Sequence, residues 1–408
     1  MSQFIWESES DPGGGVESWR NRGAINLTCF RWRQVALRTS SLWNSLVICD
    51  RRRRNKCDED TIPKLSLIPI ILERAGAIPL NVDVFSELPT EKYWNTILPL
   101  IARAVPRSRV LEIKVNWLPR HLGIFSEPSP LPKLRYLSLE WAGDTGAECI
   151  DLSQAISITF LSINSSRPIG RDLRVRLPEV CTLKTLSLKG SFALTDVTSV
   201  VTCCASQLEW LTLDISDASR MVQETQIPAS LPLSRLHELQ VRGRFSVILM
   251  RTMNAPRLQS LTIESVGMVN EDWIRYPHPL SVTQQFPVLV ILRVPFVPDD
   301  IVTPYLAAHP ALETVGVVSI ALARALLPDN SRPRILPNLR SLSINCMEWQ
   351  AGVMLRELVT HLRATGSSST EPKCMLLLQE LPFNEQQEFF QLAQQFKEYI
   401  RLDESLIL

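Results

Sequence analysis

From about residue 107 onward the apolar residues follow one spacing: an apolar position, two variable ones, an apolar position, one variable, and a third apolar position. Clear copies are Leu134-Leu137-Leu139, Leu183-Leu186-Leu188, Leu208-Leu211-Leu213, Leu236-Leu239-Val241, Leu258-Leu261-Ile263 and Leu339-Leu342-Ile344. Weaker copies lie between them at Val110-Ile113-Val115, Ile158-Leu161-Ile163, Leu289-Leu292-Val294 and Leu312-Val315-Val317. The last two apolar positions, two residues apart, share one face of an extended strand, so each copy predicts a short half-buried strand. The first positions run from 110 to 339 in nine steps, a mean of about 25 residues per step.

A strand recurring every 20–29 residues with this LxxLxL spacing is the signature of leucine-rich repeats. Between strands the period changes toward that of a helix. Thr195 is placed to cap a helix with Val197, Val200, Val201 and Cys204 on one side, and residues 321–327 read similarly. Strand and helix stacked in alternation predict an α/β leucine-rich-repeat solenoid, with parallel strands on the concave face and helices on the convex face. Prolines precede many copies, as in Leu131-Pro132-Lys133-Leu134, Ala255-Pro256-Arg257-Leu258, Phe286-Pro287-Val288-Leu289, His309-Pro310-Ala311-Leu312 and Leu336-Pro337-Asn338-Leu339, where they turn the chain into the next strand. The repeats are degenerate. Their intervals range from 22 to 31 residues, and Ala142, Ser191, Ser216 and Met347 stand where an asparagine or cysteine is usual.

The ends read differently. Residues 384–402 place Phe389, Leu392, Ala393, Phe396 and Ile400 on one stripe, with Asn384 and Gln387 in the positions of a capping box. This predicts a helix within 383–408 that caps the last repeat or docks a partner. Residues 67–75 and 92–105 read as helices flanking a strand at 80–85, so 51–106 is expected to be a helix-strand-helix connector or an atypical first repeat. The solenoid proper then spans 107–382. In residues 1–50, a helix over 27–37 would bring Trp32, Val35 and Ala36 near one face. After Thr39-Ser40-Ser41, residues Leu42, Trp43 and Leu46 begin another apolar turn.

The run Cys29-Phe30-Arg31-Trp32-Arg33, followed by Val35-Ala36-Leu37 and then Leu42-Trp43, resembles the V-C-x-x-W-R-x-x-A…L-W signature of F-box proteins. The fungal group that joins an F-box to degenerate leucine-rich repeats is the most similar. The resemblance implies that 1–50 is a partial F-box-like helical segment docking on the linker subunit of an SCF-type cullin-RING ubiquitin ligase, and through it on a cullin. The repeats would then hold a target protein. It carries Trp32, Val35, Ala36, Leu42 and Trp43 into that linker contact, where large apolar anchors suit a desolvated interface. The family's opening L-P-x-E-I-L is missing from the first 26 residues, although Phe4-Ile5-Trp6 resembles its tail. Three explanations stay open: a late start, a decayed paralogue, or a motif kept only as core.

Composition changes this picture little. Lys plus Arg total 43 against 42 for Asp plus Glu, a balance that does not favour nucleic acid or an anionic membrane as partner. The N-terminus has no apolar signal region and no long uncharged apolar run occurs, which predicts a cytoplasmic and/or nuclear protein. Nine cysteines without a CxxC pair are expected as reduced thiols. Phosphate-loop, zinc-helix and nucleophile-elbow motifs are missing, and the five histidines are scattered, so no cofactor, metal or catalytic set is expected. The basic run at 51–56 reads as a nuclear import signal or phosphate contact, or as a solvated loop offset by Asp58, Glu59 and Asp60. Candidate target-binding residues are those after the first apolar position: Arg135, Lys184, Glu209, His237, Gln259 and Arg340. They predict a mixed-charge stripe suited to a protein or phosphopeptide epitope, or ordinary solvated surface.

Overall fold

A computed structural model describes residues 30–49, 67–86, 91–115, 131–141, 149–165, 174–190, 192, 194–215, 230–243, 246, 249–264, 286–294, 299–317, 322–323, 326, 335–345, 353, 355–360, 375–379, 391, 393–397 and 400–402. The basic run at 51–56, the start of the F-box-like motif and the proposed cap at Asn384 lie outside these. The chain forms two units, Met1–Gln207 with Ser216–Gln226, and Leu208–Ile215 with Ile227–Leu408.

The first unit runs α1 (Phe30–Arg38), a 3-10 turn (Ser40–Trp43), β1 (Ser45–Cys49), α2 (Ile68–Ala75), β2 (Leu80–Ser86), α3 (Glu91–Ala104), a second 3-10 turn (Val105–Arg107), β3 (Ser108–Val115), β4 (Tyr136–Trp141), β5 (Cys149–Asp151), β6 (Phe160–Ser165), β7 (Arg174–Arg176), β8 (Thr185–Gly190) and α4 (Leu194–Cys204). Strands β1, β2, β3, β4, β6 and β8 pair in that order, all parallel. Register aligns like with like. Leu111, Leu137, Leu161 and Leu186 are cross-strand neighbours, as are Ile113, Leu139, Ile163 and Leu188, and all are almost fully buried.

The second unit runs β9 (Trp210–Ile215), β10 (Leu231–Pro232), β11 (Glu238–Arg242), β12 (Met253–Asn254), β13 (Ser260–Glu264), β14 (Ile291–Arg293), α5 (Asp299–Ala308), β15 (Thr314–Val317), β16 (Ser341–Asn345), β17 (Met375–Gln379) and β18 (Ile400–Leu402). Here β9, β11, β13, β14, β15, β16, β17 and β18 pair in order, again all parallel. The protein is thus mixed α/β, and within each unit successive repeat strands add to a parallel sheet in a solenoid-like order.

All ten expected copies lie on these sheets. From Leu134 onward the strand starts after the first apolar residue of each copy, which is buried in the turn before it: Leu134, Ile158, Leu183, Leu236, Leu258, Leu289 and Leu312 are inaccessible to solvent. The first copy differs, because Val110 lies within β3, half-buried and opposite Tyr136, and Leu111 and Ile113 take the aligned buried positions. The five Pro-containing segments close as turns in which the N–H of Leu134, Leu258, Leu289, Leu312 or Leu339 donates to the carbonyl three residues back at 3.1–3.3 Å. Proline at the second turn position presets φ, and its missing N–H costs no bond there.

Several expectations need correction. Helix α4 starts at Leu194, so Thr195 lies inside it rather than capping it, while Val197, Val200, Val201 and Cys204 are buried as the spacing predicts. The connections are not uniformly helical, because β5 with β7 and β10 with β12 form short parallel pairs of their own. The F-box-like segment is not helical throughout. Leu42 and Trp43 occupy the 3-10 turn, but Leu46 lies on β1 opposite Val82, where the β-branched run Val47-Ile48 suits a strand and β2 offers its backbone edge. At the other end, residues 391 and 393–395 are helical, yet Ile400 belongs to β18, opposite Leu376. A capping helix through 402 is therefore replaced by a final parallel strand, because pairing with β17 satisfies the backbone as well as burying Ile400.

Candidate interaction faces

Alternation along each strand leaves one face of the sheet packed and the other open. In the first unit the register sorts the positions of that second face, all but Ser138 at least partly open, into three rows across β2, β3, β4, β6 and β8. They are Asn81, Val110, Tyr136, Phe160 and Thr185; then Asp83, Glu112, Ser138, Ser162 and Ser187; then Phe85, Lys114, Glu140, Asn164 and Lys189. Tyr136 and Phe160 stack with ring centroids 4.1 Å apart and planes 8° from parallel. The Lys114 ammonium reaches Glu112 at 2.8 Å and lies 5.7 Å from the centre of the Phe85 ring, and Asn164 donates to Glu140 at 3.3 Å. Asp83 carries the clearest electrostatic signature. Burial, and next the neighbouring Glu112 charge, push its carboxyl up to about 6, with Lys114 pulling the other way.

The open face of the second unit has a different character. Trp210 is 54% exposed at the head of β9, a large share for an indole. Arg242 stands between Asp214 and Glu264 at 3.8 Å from each, and Gln240 donates to Glu264 at 2.9 Å. Arg293 lies across Gly316, where an added Cβ would come within 3.1 Å of its Cγ, so the glycine makes room for the arginine stem.

The six candidate target-binding residues fall one position before the strands. They form a backbone column at the N-terminal edge of each sheet. In the first unit the Arg135 carbonyl accepts from the N–H groups of Thr159 and Phe160 at 2.8 and 3.0 Å, and Thr159 accepts in the same way from Lys184 and Thr185. In the second unit Glu209, His237, Gln259, Val290 and Glu313 repeat the pattern, ending on Arg340. Arg135, Lys184, Gln259 and Arg340 are exposed, and Arg340 pairs with Glu313 at 3.6 Å, whereas Glu209 and His237 are half-buried. Thus the structure brings the six into register within each unit, but the open faces belong to the residue after each one and its alternates. A count of strand parity from the second buried leucine identifies them.

The F-box-like residues are placed unequally. Ala36 and Trp43 are buried, and the Trp43 indole N–H donates to the Ala36 carbonyl at 2.8 Å. The Arg74 guanidinium covers the Trp43 ring at 4.6 Å, tying α2 to the turn. Leu42 is half-buried and Val35 is 48% exposed on α1. The Trp32 side chain lies outside the described residues.

No protein-family model matches the chain, and a search of curated proteins finds no match. Among the described residues no group of three or more His, Cys, Asp or Glu is placed to hold a metal, and no helix is long and apolar enough to cross a membrane. His309 is buried, with its ring stacked on Tyr305 and its Nδ1 2.8 Å from the Tyr305 carbonyl, an arrangement that locks the turn after α5. Cys149, Cys181, Cys203 and Cys204 are free thiols, and burial raises the pKa of Cys149, Cys181 and Cys204.

Proposed function

We propose that this chain is a substrate-recognition adaptor of an SCF-type cullin-RING ubiquitin ligase, cytoplasmic and/or nuclear, built as a leucine-rich-repeat solenoid with a shortened F-box-like segment. In this reading α1 meets the linker subunit and the open sheet faces hold a target protein. The chain performs no chemistry itself and acts by bringing the target near a separate ligase subunit. The observation that carries it is the F-box-like motif in the sequence, whose described part, Phe30 to Trp43, forms a helix and turn ahead of the repeats, with Val35 exposed on that helix. The test is a pull-down of the full chain against the purified linker subunit. Capture by the folded chain is the expected result, and failure removes the adaptor role.

A second reading, a non-enzymatic repeat scaffold with a vestigial F-box, is favoured by one observation: Ala36 and Trp43 are spent on the chain's own core. Those two residues would then shape α1 without touching a partner. In that case the target-binding faces keep their role and the linker subunit has none.

A further inference from the structure

Three thiols meet where α4 packs beside the segment that joins β7 to β8. Cys181 is buried in that segment, Cys203 is partly exposed in the last turn of α4, and Cys204 next to it is fully buried. Two of them are linked in a hydrogen-bond chain. The Leu183 N–H donates to Cys181 Sγ, Cys181 and Cys203 are hydrogen-bonded to each other, and Cys203 Sγ donates to the Pro178 carbonyl at 3.3 Å. Since Cys203 commits its single proton to Pro178, Cys181 is the donor between the two sulfurs.

The three thiols differ in what can reach them. Cys204 has no accessible surface, and its Sγ donates to the Val200 carbonyl at 3.1 Å within its own helix. Cys181 is only 8% exposed, although Glu179 and Val180 just before it are open to solvent. Burial raises the pKa of both, which disfavours the thiolate that attacks an oxidant. Cys203 is thus the member of the cluster that a small solute meets first, with Cys181 already in contact behind it.

We propose that Cys181 and Cys203 form an oxidation site, a thiol pair that a peroxide converts to a disulfide in the folded chain. The Cys203 thiolate takes one peroxide oxygen. Its S–O bond forms as the O–O bond breaks, leaving a sulfenic acid on Cys203 and a hydroxide that takes up the thiol proton as water. The Cys181 sulfur then attacks the Cys203 sulfur. The S–S bond forms, the S–O bond breaks, and the departing oxygen leaves as a second water with the Cys181 proton. In sum two thiols lose two hydrogens and two electrons, and one peroxide is reduced to two waters. Contact between the sulfurs makes the second step intramolecular, so it outruns further oxidation of the sulfenic acid. A small thiol reverses the bond by exchange. The pair lies apart from α1 and does not depend on the adaptor reading.

The experiment exposes the full folded chain to hydrogen peroxide, blocks the remaining thiols with iodoacetamide, and maps disulfide-linked peptides by mass spectrometry without reduction. A Cys181–Cys203 link that dithiothreitol reverses is expected, with an unchanged circular dichroism spectrum. Cys203→Ser, at a partly exposed position, should lower the yield of linked Cys181 at least about tenfold. Cys181→Ser should leave the sulfenic acid on Cys203, where dimedone captures it, and serves if Cys203→Ser does not fold. Circular dichroism checks both variants. The proposal is overturned if Cys203 of the folded chain stays reduced or stops at the sulfenic acid. It is equally overturned if Cys181 links to another cysteine, or if its linkage is unchanged in folded Cys203→Ser.

Discussion

Two side chains show how the same residue type can serve core or surface. Trp43 has its indole N–H matched to the Ala36 carbonyl and its ring covered by Arg74, so its bulk stabilises the N-terminal turn. Trp210, by contrast, leaves more than half of its area in solvent on an open sheet face. Asp83 sits between these extremes. Its carboxyl, raised to about 6 by burial and by Glu112, binds a proton more tightly folded than unfolded. Stability from this group is therefore fully present below about pH 4 and is lost as pH rises toward 6, by up to about 3 kcal/mol. Asp83→Asn should raise the free energy of unfolding at pH 7 by about 1–3 kcal/mol and lose most of that gain near pH 4, as denaturant titrations at the two pH values would report. An equal effect at both would mean that Asp83 is not held in a charge-averse place.

At the scale of elements, the ends of the strands are as constrained as their apolar middles. Gly190 closes β8 at φ +125°, and a Cβ there would lie 2.6 Å from the Ser165 carbonyl oxygen. Gly243 follows β11 at φ +81°, with the same 2.6 Å approach to the carbonyl oxygen of Ile215. Both stand seven residues after the first buried leucine of their copies, Leu183 and Leu236, where the chain leaves the sheet. Gly190→Ala and Gly243→Ala should each destabilise by about 1–3 kcal/mol, read as a lower unfolding midpoint with an unchanged denaturant slope. The repeat strands were legible in the sequence because buried leucines and prolines recur in phase, and each has a local physical reason. What lies between them was less legible. A stretch such as 149–151 pairs with 174–176, and Ile400–Leu402 pairs with β17, through backbone bonds that leave little trace in the side-chain pattern. The helical stripe through Ile400 reflected its burial, which a strand satisfies equally well. The six candidate target-binding residues precede the strands by one position, because each strand starts after the buried turn leucine rather than at it.

At the scale of the whole molecule, each unit is an extended parallel sheet with a buried face of aligned leucines and an open face of mixed charge. Such a construction spends its apolar residues on stacking successive repeats and leaves the other face free to recognise a partner. In the first unit that face carries Asp83, Glu112 and Glu140 around Lys114 beside the Tyr136–Phe160 stack, while in the second it carries Trp210 and the Arg242 cluster. The adaptor reading adds a second partner at α1. Since Ala36 and Trp43 are buried, the exposed Val35 is the residue through which that contact can be changed without disturbing the core. The most direct test is the affinity of the purified linker subunit for the full chain and for its Val35→Asp variant, with thermal unfolding run on both. The account predicts micromolar or tighter binding by the unaltered chain and a loss of at least about tenfold in a variant that unfolds at the same temperature. No binding by the folded chain, or equal binding by the variant, would contradict it.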